Sequence, residues 1–569
     1  MLLIFLSWMY IGFTCLNLGF LFSKVLKINT KDFVILNFFG LFLATIIGSF
    51  WALFGRINIE FHSFLLLVNL FLFIFYKKTI CGLFYNFYIE IKRCSQVVKL
   101  FLFLFFVLIL NHCSQSPLLI DNETYYIQTI KWLNEYGFVK GLANLHVFLG
   151  QTSGWHIAQS VFNFSFLYAN FNDLSGYALT LGLVFSFLNL DIVLKNPEPK
   201  KHQLIAGISA VFSLFLFQFT SAPSPDLLVY VLSFIVFLFF IEHSNNVNQH
   251  SFNTLSVLIF FLIFVKITIL PIILLPISWL FSDFKLLKPI LWKTIVVGVV
   301  VFMLFYIKNT ILLGYTLYPS KHFELSSNKY SLPVEISNLF FSHSGLYSFF
   351  VSDIELEEMS FIQLFWKWLT FSKIDAIFNI CNCILIICCP YFIYRFSNFK
   401  SYWIIYFTML AQSLFLIFTS PQFRFFIPFT QFFSLLVVVI FCSKKTFVSL
   451  ITISLILTGI FTLIPYAKAS LTNPILKQFD TSYSANQLVF PKDNSVMNHN
   501  YLKFNVGNLI FESPDESSFF WITGNGELPC VNKQQIDYFK SNYNYIPQLR
   551  TNNLKDGFYA KRIQIYESK

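Results

Sequence analysis

Long apolar stretches alternate with short polar ones along the chain, and only three polar regions are extensive: residues 112–173, 313–373 and everything beyond about 466. The apolar runs fall near 1–23, 33–54, 61–76, 99–111, 174–194, 203–220, 226–242, 252–282, 293–312, 374–394, 402–419, 424–442 and 446–465. A helix crosses the hydrocarbon core of a bilayer with roughly 20 apolar residues, and most of these runs approach that length. Residues 252–282 are interrupted by Lys266, Pro271 and Pro276, so this run reads as two spans or a broken one. The pattern predicts an all-α polytopic transmembrane bundle of about 12–14 helices. Residues 1–111 form its N-terminal helices, 112–173 a large first extracytoplasmic loop, 174–465 the main bundle and 466–569 a C-terminal extracytoplasmic unit. Alternation over 502–511 and 558–566 predicts strands, and hence a small α/β or β-rich unit packed over the membrane part. Residues 1–23 lack a basic leader and a small-residue cleavage site and read as a first transmembrane helix.

Composition strengthens this picture. Of 569 residues, 56% are hydrophobic and 12% charged, against about 25% charged in soluble proteins. Mean hydropathy is +0.66. A soluble enzyme fold is excluded. The 77 phenylalanines accompany abundant Ile, Leu and Asn and read as coding bias. A net charge of +11 would suggest nucleic acid in a soluble protein, but here the basic residues occupy short loops, and no nucleic-acid partner is expected. Alternating sides places Lys24/Lys27/Lys31, Lys77/Lys78/Lys92/Arg93, Lys195/Lys200/Lys201, Lys285/Lys288/Lys293, Arg395/Lys400 and Lys444/Lys445 on one face. By the positive-inside rule that face is cytoplasmic. The extensive polar regions and the turns at 221–225 and 420–424 then lie on the periplasmic side of a bacterial inner membrane. Cys381, Cys383, Cys388 and Cys389 sit in an apolar run without further metal ligands, whereas Cys113 and Cys530 share the outer side and are open to disulfide pairing.

Candidate chemistry gathers on that outer side. Asp121 and Glu123 open a helix ending at Gly137, whose Tyr126, Ile130 and Leu133 share one face, as in a helix lying along the membrane surface. A desolvated carboxylate there serves as a base or metal ligand; helix capping is the alternative for Asp121. His146 and His156 follow in the same loop as phosphate donors, metal ligands or packed core histidines. Asp226 stands at the start of a span and either caps it or serves a site. Lys308 and Tyr318 end another span, and Arg424 stands at the mouth of the next; both cations either snorkel or hold a phosphate. Carboxylates and cations from separate loops on one membrane face suit a reaction on a lipid-linked phosphate.

The same residues carry a resemblance. A large first outer loop with an early acidic motif, many spans and a C-terminal outer domain resembles the GT-C superfamily of polyprenyl-phosphate-sugar-dependent glycosyltransferases. Residues Asp121 to Trp132, Gly141-Leu-Ala-Asn144-Leu, Ser224-Pro-Asp226, Gly314-Tyr-Thr-Leu-Tyr-Pro-Ser320, Arg424-Phe, Leu528-Pro-Cys530 and Leu554-Lys-Asp-Gly-Phe558 look most like a Bacteroidetes family of polytopic membrane proteins, over about 110–560. The GT-C resemblance implies a catalytic base or metal ligand at Asp121 with Glu123 as partner, a polyprenyl-phosphate sugar donor, a glycan or lipid-linked acceptor, the lipid bilayer as surroundings and a divalent ion such as Mg or Mn. Here the acidic loop follows the fourth predicted span rather than the first, and no compact Asp-x-Asp occurs. The expected function is sugar transfer in the cell envelope. Rival readings are a non-enzymatic exporter, flippase or polymerase-like channel, and a scaffold that anchors an outer domain.

Overall fold

The computed structural model describes the chain except residues 319–328, 350, 352–354, 356–357, 371–373, 397–398, 465–482, 498, 516–518 and 564–569. Among the described residues ten helices are long and apolar enough to cross a membrane. Two further apolar helices, Gln249–Val265 and Ile427–Phe441, are shorter, and one 47-residue candidate, Ile267–Leu313, overlaps two of the expected runs. The molecule is a helical, multi-pass membrane bundle with a small sheet-bearing C-terminal region.

Four helices open the chain: α1 (Leu2–Leu26), α2 (Phe33–Ala52), α3 (Ile59–Arg93) and α4 (Gln96–Cys113). The Asp32 carboxylate caps α2 by accepting from the Ile35 N–H at 2.9 Å. Helix α3 does not stop at residue 76, where its apolar run ends; it kinks at Tyr76 and continues through Lys77 and Lys78. No proline follows to break it, and straight-chain polar residues keep their helix propensity.

The first large loop carries α5 (Ile127–Glu135) and α6 (Gly154–Val161), with a π turn at Asn122–Tyr126 feeding α5. The face that its amphipathicity suggested for a membrane surface is covered by protein instead. Tyr126, Ile130 and Leu133 are buried, and so is Trp132 on another face: Tyr126 and Leu133 pack toward α6 and the membrane helices, while Trp132 packs on Phe558 of the C-terminal region.

The main bundle comprises α7 (Leu174–Lys195), α8 (Lys201–Ile208), the short α9 (Ser213–Leu216), α10 (Pro225–His243), α11 (Gln249–Val265) and α12 (Leu274–Leu313), then α13 (Val334–Phe349), α14 (Phe361–Thr370), α15 (Ile374–Phe396), α16 (Lys400–Ile417), α17 (Ile427–Phe441) and α18 (Lys444–Leu463). The interrupted apolar run resolves as a broken element: α11 ends before Lys266, and a 3-10 stretch, Ile267–Ile273, precedes α12. Pro271 within that stretch denies the donor an α-helix would need.

The C-terminal region holds two antiparallel hairpins, β1 (Tyr501–Val506) with β2 (Leu509–Pro514) and β3 (Tyr545–Leu549) with β4 (Phe558–Arg562), flanking α19 (Lys533–Tyr543). Both predicted strand regions are thus present, although Gln564 to Tyr566 lie outside the described residues. Cys113 and Cys530 are both free thiols and form no disulfide. Each sulfur meets a different carbonyl: Cys113 lies 3.5 Å from the Thr220 oxygen and Cys530 3.4 Å from that of Thr523.

The C-terminal region grips the first loop along several seams. The Thr523 and Gly524 N–H groups donate to the Glu123 carbonyl at 2.9 and 2.8 Å, and Lys131 donates to the Asn525 carbonyl at 2.9 Å. Gly141 and Gly557 meet backbone to backbone, each with positive φ. A Cβ on Gly141 would lie 2.3 Å from the Phe558 carbonyl oxygen, and one on Gly557 2.0 Å from that of Lys140. Two motifs far apart in sequence are therefore glycine-dependent for one shared reason: no side chain fits between the strands of backbone they bring together.

Candidate functional site

The site assembles where several helices end. Asp121 follows α4, Asp226 lies in the first turn of α10, Lys266 follows α11, and Arg424 lies in the turn between α16 and α17. The Arg424 Nη1 donates to Asp121 Oδ2 at 2.6 Å and stands 3.6 Å from Asp226 Oδ2. Its Nε donates to the Gln422 side-chain carbonyl at 2.8 Å, which fixes the plane of the guanidinium. Lys266 closes the cluster by pairing with Asp226 Oδ1. Burial differs sharply across the group: the Asp226 side chain is 2% exposed, that of Arg424 24%. Two carboxylates thus share two cations at the accessible edge of a low-dielectric bundle, where isolated charges would be costly.

Aromatic groups line the cluster. The Phe425 ring receives Lys266 Nζ at 4.1 Å from its centroid and the Arg424 guanidinium at 5.3 Å. The Tyr126 hydroxyl donates to Asp121 Oδ2 at 3.4 Å. His156 packs against both tyrosines, its ring centroid 4.8 Å from that of Tyr126 and 5.8 Å from that of Tyr125. Its Nδ1 accepts from the Ser153 N–H at 3.2 Å, completing a capping box at the start of α6, and its buried Nε2 has no partner among the described residues. Burial foremost, then the Lys308 charge, pushes His156 down to about 3, so it is neutral with its proton on Nε2. The fields of Asp121, Lys266 and Lys308 all reach this ring.

Lys308 is buried in the last turns of α12 and donates to the Asn309 side-chain carbonyl at 2.6 Å. No carboxylate among the described residues pairs with it. The Asn309 amide in turn donates to the Tyr318 carbonyl at 3.4 Å, so Tyr318 supports the loop beside Lys308 through its backbone. Pro319 and Ser320 of the same motif lie outside the described residues.

Glu123 and His146 stand apart from this cluster. Side chains two positions apart on a helix leave it on opposite sides, and Glu123 turns away from Asp121 into the C-terminal region. It is fully buried, accepting from Ser495 Oγ at 2.5 Å, the Val496 N–H at 3.1 Å and the Asn122 amide at 3.1 Å. Burial pushes its carboxyl up to about 7 despite these donors. His146 Nδ1 accepts from the Phe148 N–H and its Nε2 meets the Trp521 carbonyl, so both nitrogens are engaged. Among the described residues no three His, Cys, Asp or Glu side chains gather as a metal shell. The carboxylates of Asp121 and Asp226 face Arg424 and Lys266, and Glu123 is directed elsewhere, so this donor set does not fit a divalent ion.

A family model matches residues 1–431, which contain every residue of the charged cluster. The chain belongs to the family described as Domain of unknown function (DUF8201). The DUF8201 match ends shortly after Arg424, so the cluster belongs to the family region while the covering C-terminal unit lies beyond it. No curated protein and no solved structure matches the chain.

Sequence reasoning found Asp121, Asp226 and Arg424 and missed their partner Lys266. The signal was present: a lone cation inside a long apolar run must pair with an acid, and Asp226 was the unpaired acid at a neighbouring helix end. Phe425, next to Arg424, carried no comparable signal.

Proposed function

We propose that this protein is an integral-membrane glycosyltransferase of GT-C type. It moves a sugar from a polyprenyl-phosphate donor to a glycan or lipid-linked acceptor of the cell envelope, at the periplasmic face of the inner membrane. The observation that carries this reading is the convergence of Asp121, Asp226, Lys266 and Arg424, from four separate segments, at one end of the bundle. Lys308 adds a buried cation without a carboxylate partner among the described residues, which suits an anionic ligand.

In this mechanism the donor phosphate competes with Asp121 for Arg424. Binding then frees the Asp121 carboxylate to take the proton of the acceptor hydroxyl. The acceptor oxygen forms its bond to the anomeric carbon as the bond from that carbon to the phosphate oxygen breaks. The polyprenyl phosphate leaves with the electron pair, and Arg424 and Lys308 offset its charge. Lys266 and Asp226 hold Phe425 and the guanidinium in place. Because the cations supply the charge stabilisation, no step is assigned to a metal ion.

The test is transfer from a labelled polyprenyl-phosphate sugar in proteoliposomes. Asp121→Asn should lower turnover by about 10²–10⁴-fold, the range for losing a general base, while the purified protein keeps its elution and melting profile. Unchanged turnover removes Asp121 as the base. The break in the helix at Lys266 favours a second reading, ion-coupled or gated export of a lipid-linked glycan. Movement of intact donor across the bilayer without release of polyprenyl phosphate would select it.

A further inference from the structure

A second charged feature lies at the same end of the bundle and shares no residue with the Asp121 cluster. The end of α2, residues 136–140, the last turn of α12 and residues 550–559 enclose an open cleft of about 870 Å³. Four cations line it, Lys140, Lys329, Arg550 and Lys555, against one carboxylate, Asp556. That carboxylate is already engaged, accepting from the Thr551 hydroxyl at 2.6 Å. Arg550 donates to the Asp556 carbonyl at 3.0 Å and lies 5.2 Å from the Tyr330 ring centroid. Lys140, Lys329 and Lys555 enter no ion pair among the described residues.

The opposite wall is apolar and belongs to the membrane helices. Phe54, just beyond α2, is 82% exposed, and Ile311 lies in the last turn of α12. Gathering like charges raises their mutual repulsion unless an anion joins them. Basic pockets at the ends of membrane helices draw anionic head groups, while neighbouring apolar surface takes the chains. We infer that this cleft binds the phosphate of an anionic membrane lipid, with the head group against the lysines and the start of the acyl chains over Phe54. This site stands independently of the transfer reaction proposed above.

The experiment uses the full chain purified in neutral detergent and measures binding of phosphatidylglycerol by native mass spectrometry, with uncharged diacylglycerol and inorganic phosphate as probes. Phosphatidylglycerol should be retained and diacylglycerol lost. The triple variant Lys140→Ser/Lys329→Ser/Lys555→Ser should weaken phosphatidylglycerol binding about tenfold or more. Its Lys→Arg counterpart should restore binding, and Lys503→Ser/Lys540→Ser, elsewhere on the C-terminal region, should leave it intact. If the triple variant does not fold, Lys555→Ser alone, at an exposed turn, should weaken binding about threefold. Equal retention of the two lipids, or equal binding by wild type and the cleft variants, overturns the site. Displacement of phosphatidylglycerol by millimolar inorganic phosphate overturns the lipid assignment.

Discussion

Asp121 and Glu123 leave one helical turn in opposite directions and meet opposite surroundings. Asp121 faces Arg424 and the partly accessible end of the bundle. Glu123 faces Ser495 and the Val496 N–H inside the seam with the C-terminal region, with no ion pair among the described residues. Two carboxylates of nearly equal intrinsic chemistry thereby receive different tasks. One is paired with Arg424 at the partly accessible end of the bundle; the other is a buried latch for which the neutral form is the comfortable one. Adjacency in sequence is therefore a poor guide to shared function on a helix.

The largest effect should come from removing the cation on the Asp121 side. Arg424→Met leaves Asp121 and Asp226 with Lys266 as their cation; breaking one partner of a buried pair costs about 3–5 kcal/mol, and the partial exposure here points to the lower end. Sugar transfer should vanish and the melting temperature in detergent should fall. Adding Asp121→Asn to that variant should recover part of the melting temperature and none of the activity. Identical melting of the single and double variants would show that the pair does not hold these helix ends.

Next comes the latch, tested through pH. Burial raises Glu123 to about 7 from the usual 4.5, so the folded chain keeps a proton that the unfolded chain has released over that interval. The stabilisation is complete below about 4.5 and is lost as pH rises to about 7, a change of about 3 kcal/mol. Glu123→Gln should abolish this dependence and leave transfer activity in place. Asp173, likewise raised to about 7 by burial, acts in the same direction. His146 and His156, lowered by burial to about 4 and about 3, act oppositely, because unfolded imidazoles gain protons below about 6.5. Subtracting the variant's unfolding free energy from that of wild type at each pH cancels these contributions, and a flat difference between pH 4.5 and 7 would contradict the latch.

The smallest effect should follow Ser495→Ala, which removes the 2.5 Å bond to Glu123 Oε2. A loss of about 1–2 kcal/mol in unfolding free energy is expected at pH 8, where Glu123 is charged. Transfer activity should not change. A loss confined to activity would mean that the seam acts in the proposed reaction rather than in stability.

These contrasts also mark what could be read from the residues in order. Apolar length placed most of the helices, since burying some 20 apolar residues in lipid is a local property of a segment. It stopped short at α3, where helix propensity outlasts hydropathy beyond Tyr76; the run at 424–442 is a helix, Ile427–Phe441, shorter than the run. Period-2 alternation located β1, β2 and β4 but ran through the turn between β1 and β2 and did not mark β3. Charges at segment ends nominated Asp121, Asp226 and Arg424, whereas Lys266, inside an apolar run, was read only as an interruption of that run, and its pairing with Asp226 became visible with the helices packed. The amphipathic stripe of α5, read as facing a membrane surface, is buried against other parts of the chain.

By itself the sequence determined that this chain is a helical membrane protein with a strand-bearing C-terminal region, because hydrophobic burial and backbone pairing act over short segments. Only the tertiary structure decided which acid meets which cation, that Glu123 closes a seam while Asp121 pairs with Arg424 at the end of the bundle, and that Gly141 and Gly557 must share one gap. Those outcomes depend on contacts between positions separated by hundreds of residues, and charge interactions are set by distance and burial in space rather than by order along the chain.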